Sequence, residues 1–182
     1  MYTSIIIIAS NLLLAISTFA QSLIPVDAGS SVKFSIKNLG ITVNGIFTGI
    51  KGEIIFDPLN PNNATFNLSV NAATVNTGIN LRDSHLKKED YFNVNKFPLI
   101  TFLSTKVSAS DKDDIFIING NITIKGVTKS ISFPFRIVSQ QSGYLFKGAF
   151  KLNRRDFHVG SGSLVLSDNL DVSFSVYATT KT

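Results

Sequence analysis

Two short segments of the sequence share one pattern of ionisable residues. The chain has two histidines, and they end the segments RDSH at residues 82–85 and RDFH at residues 155–158. Aspartate and histidine are ligands that zinc and iron accept, so these side chains could form a metal site if they converged. On a helix, however, Asp83 and His85 would point about 200° apart and could not bind one ion together, whereas the second pair could share a strand face. This geometry argues against a metal, and we expect none.

The segments that come nearest to catalytic motifs give no specific support for an enzyme. GSGS at residues 160–163 only loosely resembles the G-x-S-x-G turn of a nucleophilic serine, and it is more typical of a flexible loop. Glu89 and Asp90 are adjacent, so their side chains diverge on a helix and cannot flank a glycosidic bond. We therefore predict that the protein is not an enzyme. An enzyme that uses His85 or His158 is the alternative, and it predicts a turnover that a His-to-Ala change abolishes.

The composition excludes two classes of protein. The net charge of +5 comes from 17 Lys and Arg against 12 Asp and Glu, but the excess is spread out as pairs such as Lys87 with Lys88 rather than as a basic stripe. We therefore expect no nucleic-acid partner, while a mild attraction for anionic headgroups stays open. Because the chain has no cysteine, disulfides and thiolate metal sites are excluded, and packing must stabilise the fold.

The first twenty residues predict a secretory signal peptide. They carry no charged side chain, contain an apolar run from Ile5 to Ile16, and place the small residue Ala20 before the expected cleavage site. Ser10 and Asn11 interrupt the run before it reaches the about twenty apolar residues of a membrane anchor. We therefore expect a signal peptide at residues 1–20, one domain at residues 21–182, and a periplasmic or secreted mature protein.

Most of the mature chain alternates apolar and polar residues with the period of two that is typical of β-strands. Turn-forming clusters separate the alternating runs, at residues 57–63, 110–114, 125–129, 139–143 and 167–169. About eight strands joined mainly by short turns predict a largely antiparallel sheet. Such a sheet closes into a barrel or folds into a sandwich.

Three glycines favour the barrel over the sandwich. Gly45, Gly49 and Gly52 interrupt one long run from Val43 to Phe56, where a strand that coils around a barrel would bend. An eight-stranded barrel has an interior just wide enough for side chains or for one ligand. The fifteen phenylalanines could fill that interior or line a cavity, and composition alone favours filling.

One long segment lacks this alternation. Residues 76–97 contain no run of period two, and Leu81, His85 and Lys88 recur at helical spacing. We predict a short helix between strands that ends before Pro98. A helix inserted here could cover the mouth of the barrel, and its cations would suit the polar head of an apolar ligand. A solvated surface helix is the alternative.

The succession of motifs resembles the YceI-like family of secreted bacterial proteins that bind polyisoprenoids and related lipids. The resemblance covers about Val26 to Tyr177, nearly the whole mature chain. Its most specific parts are RDSHL at residues 82–86 with Phe92 and KFP after it, and GNITIKGVTK at residues 120–129. The last motif in the succession is LNRRDF at residues 152–157.

This resemblance implies an all-β fold, a lipocalin-like eight-stranded antiparallel β-barrel with a short inserted helix. It also implies that the barrel holds a long apolar chain, with no reaction, no cofactor and no metal. By this resemblance the mouth residues that contact the polar head are Arg82, Asp83, His85, Arg154 and Asp156, and a salt bridge between the helix and the last strands is their alternative role. The apolar lining is expected to comprise Phe34, Ile36, Phe47, Phe66, Leu68, Phe102, Phe133, Phe135, Phe146, Phe150 and Phe174.

We therefore predict a non-enzymatic lipid-binding barrel of the cell envelope, used for carriage, storage or stress protection. The expected ligand is an isoprenoid quinone, a polyprenyl phosphate, or a fatty acid or amide, and affinity should follow chain length more than headgroup because each buried methylene contributes about 0.8 kcal/mol. A filled barrel that acts through surface contacts, as a structural or stress-related protein, is the alternative. Transient membrane-surface contact and a homodimer stay open.

Overall fold

Ten strands form one antiparallel sheet that closes on itself in the computed structural model, which describes residues 21–180. The predicted signal peptide at residues 1–20 lies outside the described residues. The sheet order is β1-β4-β5-β6-β7-β8-β9-β10-β2-β3, and pairing of β1 with β10 closes the ring. The strands are β1 Gln21–Pro25, β2 Ser31–Asn38, β3 Ile41–Phe47, β4 Lys51–Phe56, β5 Thr65–Asn71, β6 Leu99–Ala109, β7 Ile115–Ile124, β8 Val127–Gln140, β9 Gly143–Asn153 and β10 Leu166–Thr180.

Eight strand positions surround the barrel, because two of them are each divided between two strands. β1 and β2 both pair with β10, where Leu23 faces Thr180 and Phe34 faces Val172. β3 pairs with β2, and β4 pairs with β1, so β3 and β4 together form the next position. The predicted eight-stranded antiparallel barrel is confirmed, and the sandwich alternative is wrong.

Of the three predicted glycines, Gly49 lies in the interruption between β3 and β4 and Gly52 lies just after it, whereas Gly45 lies within β3. Gly49 has a φ of 73° and Gly52 a φ of 134°, conformations that residues with side chains rarely adopt. A Cβ on Gly52 would lie 1.9 Å from the carbonyl oxygen of Asn67 on the neighbouring strand. Glycine therefore allows the chain to bend here while the close pairing with β5 is kept.

Replacing Gly52 with alanine is expected to lower the free energy of unfolding by about 2–3 kcal/mol more than replacing Gly40, since Gly52 adds a backbone clash to the strain of a positive φ. Gly40 also has a positive φ, 79°, but a Cβ there would meet nothing within 4 Å. Urea unfolding followed by tyrosine fluorescence measures both variants. Equal losses of stability would show that the clash is relieved by a shift of the strand.

Alternation along the strands places the apolar residues inside the barrel. In β7 every second residue from Phe116 to Ile124 is buried, and the residues that alternate with them are more exposed. At one end of the barrel, which we call the distal end, phenylalanine rings pack edge to face around Phe56, with centroids 5.3–6.3 Å apart. Such contacts are the geometry that aromatic pairs prefer. The distal end of the barrel is therefore filled.

Consecutive antiparallel strands place their connections at alternate ends of the barrel. The connections of the distal end are residues 57–64, 110–114 and 141–142. Those of the opposite end, which we call the mouth end, are residues 39–40, 72–98, 125–126 and 154–165. In the distal connections, hydrogen bonds from the Asn60 side-chain amide and the Leu59 N–H lower the pKa of Asp57, so this carboxylate is ionised at neutral pH.

The one α-helix of the described residues, α1 at Asn80–Leu86, lies in the long mouth-end connection. It is the short inserted helix that the sequence predicts, and it ends before Pro98. The buried carboxylate of Asp83 accepts hydrogen bonds from the N–H and hydroxyl groups of Thr77. These bonds hold Asp83 inward, so Leu81, two residues earlier, faces solvent, and Leu86 packs against the core instead. No helix of residues 21–180 has the length and apolar character needed to span a membrane.

Candidate functional site

Two adjoining cavities lie inside the barrel. The mouth cavity has a volume of about 340 Å³ and lies beneath α1. The inner cavity has a volume of about 120 Å³ and lies nearer the distal end. The residues that line both cavities form the waist between them: Val32, Val70, Ile100, Ile122, Phe150 and Val172. Two apolar cavities that share these wall residues thus follow one another from the mouth end toward the phenylalanine cluster of the distal end.

All eleven apolar residues predicted to line the interior border one of these cavities. Phe34, Ile36 and Phe47 line the mouth cavity, and Phe150 lines both. The other seven line the inner cavity: Phe66, Leu68, Phe102, Phe133, Phe135, Phe146 and Phe174. The strand periodicity places them there because every second residue of a barrel strand points inward.

Glycines on the inner surface of the wall keep part of this interior open. A Cβ on Gly45 would lie 2.2 Å from the ring of Phe34, and a Cβ on Gly148 would lie 2.5 Å from the ring of Phe174. The ring of Phe102 approaches Gly120 in the same way, at 2.4 Å. Each ring lies over a position that has no side chain, against the wall instead of across the lumen. We call these three contacts the phenylalanine–glycine pairs.

Arg82 and His85 are the charged and polar residues of α1 that line the mouth cavity. The Arg82 Nε donates to the Thr77 hydroxyl at 2.7 Å, and Nη2 donates to the Thr77 carbonyl at 2.9 Å. A guanidinium has five N–H donors, so Nη1 and one hydrogen of Nη2 have no acceptor among residues 21–180. The His85 ring packs edge to face on Tyr91 at 5.1 Å. The geometry leaves Arg82 donors free beside an apolar cavity.

Arg154 also lines the mouth cavity, but its guanidinium is fully engaged. It is buried, and its five N–H groups face the carbonyls of Val159, Ser161, Leu166 and Ser167 and the Asp168 carboxylate. The contact with Asp168 is a salt bridge of 2.7 Å. Arg154 therefore holds the connection between β9 and β10 in place.

The two predicted aspartates do not line either cavity. The Asp83 carboxylate is occupied by Thr77, as described above, and Asp156 is exposed in the 3-10 turn Arg154–Phe157. Neither ion pair of residues 21–180 joins the helix to the last strands; they are Arg154 with Asp168 and Lys151 with Asp171. Within the same residues, no three His, Asp or Glu side chains are grouped closely enough to hold a metal ion.

A sequence profile described as YceI-like domain matches residues 25–178, nearly all of the described chain. The chain belongs to the YceI-like family. Protein YceI of Escherichia coli is 32% identical to it over 154 residues, which are 80% of this chain and 78% of the relative. A UPF0312 protein of Pseudomonas aeruginosa is 33% identical over 153 residues, with the same coverage.

Solved structures share the YceI-like barrel. Burkholderia cenocepacia BcnA superposes with a TM-score of 0.80 at 21% identity, over 86% of this chain and 99% of that protein. A polyisoprenoid binding domain from Saccharophagus degradans superposes with a TM-score of 0.73 at 15% identity, over 89% and 99%. The Campylobacter jejuni YceI protein gives a TM-score of 0.67 at 26% identity, over 77% and 85%.

Sequence reasoning missed part of the lining in this YceI-like barrel. Leu86, Tyr91 and Phe92 reach the mouth cavity from the long mouth-end connection, and Val159 reaches it from the connection that Arg154 holds. These residues lie in segments without strand periodicity, so no pattern shows which way they point. Thr77 was missed as well, because its role depends on Asp83 and Arg82 of the following helix.

Proposed function

We propose that this YceI-like protein binds one long-chain apolar lipid inside the barrel and does not convert it chemically. The observation that carries the proposal is the pair of adjoining apolar cavities with a polar edge at the mouth end. A pocket that is mainly apolar and has a few polar groups at one side is suited to an amphipathic ligand. The likeness to a polyisoprenoid binding domain supports a chain of the isoprenoid class.

The cavity volumes limit the length of that chain. A cavity of about 150 Å³ accepts one benzene molecule, which corresponds to roughly 25 Å³ for each carbon. By this measure the mouth cavity of about 340 Å³ takes roughly fourteen carbons. The inner cavity of about 120 Å³ takes roughly five more. Because the rings around Phe56 fill the distal end, the further carbons of a longer chain would stay outside the barrel.

Arg82 is the residue best placed to contact the polar head. Its free donors border the mouth cavity, whereas all the donors of Arg154 are hydrogen-bonded to protein acceptors. Guanidinium donors bind phosphate or carboxylate oxygens strongly. A lipid phosphate, a fatty carboxylate and a quinone carbonyl all supply acceptors of this kind. The head would therefore lie beside α1 and the apolar chain would run toward the waist.

Titration with isoprenoid alcohols of about ten, fifteen, twenty and forty carbons tests the proposal and the length limit separately. We expect affinity to rise steeply up to about twenty carbons and then to level off, because each further methylene gains nothing once it is outside the barrel. Tyr91 borders the mouth cavity, so tyrosine fluorescence reports binding. Continued tightening up to the longest alcohol would contradict only the length limit.

Extraction and mass spectrometry of protein purified from its own host provide the second readout. We expect an isoprenoid or acyl lipid to be released from the barrel. If no lipid is extracted and no alcohol of the series binds, the proposed function is wrong.

We also propose that the protein acts outside the cytoplasm, after removal of residues 1–20. The intact mass of the same preparation tests this, since a mature chain of the expected kind starts at Gln21.

A further inference from the structure

Four aliphatic side chains are exposed together at the mouth end. Leu39 and Ile41, at the turn between β2 and β3, are 71% and 70% exposed. Leu164 is fully exposed and Val165 is 48% exposed, just before β10. The Leu39 N–H donates to the Val165 carbonyl at 2.8 Å, which joins the two segments. We call these four residues the apolar rim. Single exposed aliphatic residues are ordinary, but a contiguous group indicates a contact surface.

The apolar rim borders the opening of the mouth cavity. Asn38 pairs with Ile41 on one side and with Leu166 on the other. Both Asn38 and Leu166 line the mouth cavity. A surface that contacts the rim would therefore lie against the entrance through which a ligand passes.

The two ends of the barrel carry opposite charge. The mouth-end connections contain seven Lys and Arg against four Asp and Glu, a net charge of +3. The distal connections contain four Asp against one Lys, a net charge of −3. These counts leave out the strands. At the mouth end, Asp168 of β10, which forms the ion pair with Arg154, and Lys37 at the end of β2 carry opposite charges. Their charges cancel, so the net charge of +3 is unchanged. The end that carries the apolar rim is thus net positive, and the opposite end would be repelled by an anionic surface.

We propose that the mouth end docks on a lipid bilayer that carries anionic headgroups, with the apolar rim entering the boundary between headgroups and acyl chains. Aliphatic side chains within a positive field are the combination that peripheral proteins use on such surfaces. The centres of protein interfaces are instead enriched in aromatic residues, methionine and arginine, and the rim contains none of these. Docking in this orientation would let a lipid move between bilayer and cavity without crossing water. It does not depend on which lipid the barrel holds.

Sedimentation with vesicles of phosphatidylcholine and about one third phosphatidylglycerol tests the proposal. We expect the wild-type protein to sediment with these vesicles, less with pure phosphatidylcholine, and less at high salt. The double variant Leu39→Asn with Leu164→Asn should bind the anionic vesicles about tenfold more weakly, because it removes the aliphatic contact and leaves the charge.

Leu59→Asn is the matched control, since Leu59 is 78% exposed in a distal connection and should not reach the bilayer. Binding of a soluble farnesol-class alcohol by the double variant shows that its fold and cavity are intact. The proposal fails if the wild-type protein does not bind the vesicles, if both variants lose affinity equally, or if the double variant binds as the wild type does. If light scattering shows that the wild-type protein is a dimer and the double variant a monomer, the rim is a contact between two copies of the chain. The membrane proposal is then wrong.

Discussion

Replacing Arg154 with methionine should lower the free energy of unfolding by about 3 kcal/mol, because a buried ion pair loses one partner and several carbonyls lose their donor. Arg154 is 5% exposed and its guanidinium holds four carbonyls and the Asp168 carboxylate. Methionine keeps much of the apolar volume but donates no hydrogen bond. The midpoint of urea unfolding measures the loss. The half-exposed Asp168 can regain water, which keeps the effect at the lower end of the range for buried pairs.

Arg155→Met is the matched control for this prediction. Arg155 is the next residue, carries the same side chain and is exposed, so its replacement should change the free energy of unfolding by less than about 0.5 kcal/mol. Arg154→Lys should fall between the two, since one ammonium cannot reproduce a planar fork of five donors. Equal effects of the two methionine variants would mean that the carbonyls of the connection find water as readily as they find Arg154.

Replacing Val172 with phenylalanine should weaken lipid binding by about a hundredfold or more, since a ring at the waist displaces about four chain carbons at about 0.8 kcal/mol each. Val172 is buried and lines both cavities, so the ring has empty space to occupy. Overpacking should be modest for the same reason, at about 1 kcal/mol of stability. Titration with the alcohol of about twenty carbons measures the loss of affinity.

Ser173→Phe provides the control on the same strand. Ser173 is exposed, one residue away, and so faces outward from the wall. The ring then adds the same apolar area outside the barrel, and lipid affinity should be unchanged. If Val172→Phe binds the lipid as well as Ser173→Phe does, the chain does not pass the waist. Binding would then be confined to the mouth cavity.

The fold could be predicted far better than the roles of the individual polar residues. A period of two fixes which face of a strand is inside, so the recurrence of apolar residues at Ile131, Phe133, Phe135 and Ile137 was enough to place Phe133 in the lining. The rotation of α1 could not be predicted in this way. It depends on the two hydrogen bonds that Asp83 accepts from Thr77, and the spacing of apolar residues does not predict such bonds.

The difference between the two mouth arginines was also beyond the sequence. Arg82 and Arg154 both border the mouth cavity and have the same side chain. Their roles differ because the connection before β10 brings four carbonyls around Arg154, while Thr77 occupies only part of the guanidinium of Arg82. Backbone carbonyls are present at every residue, so only the path of the chain decides which arginine they surround.

The phenylalanine–glycine pairs have a consequence for how such a barrel can adapt. The circumference of a closed barrel is set by its number of strands and their stagger, and neither changes by small steps. The width of the lumen also depends on how far the side chains of the inner wall project into it. At Gly45 the nearest atoms to an added methyl group all belong to the Phe34 ring, so the methyl group would swing that ring inward. At Gly120 and Gly148 it would also lie within 3.0 Å of a backbone carbonyl oxygen, of Leu103 and Pro134 respectively, so the strand itself would have to shift. A single substitution at Gly45 could thus narrow the mouth cavity, which Phe34 lines, while the strands of the barrel stay the same.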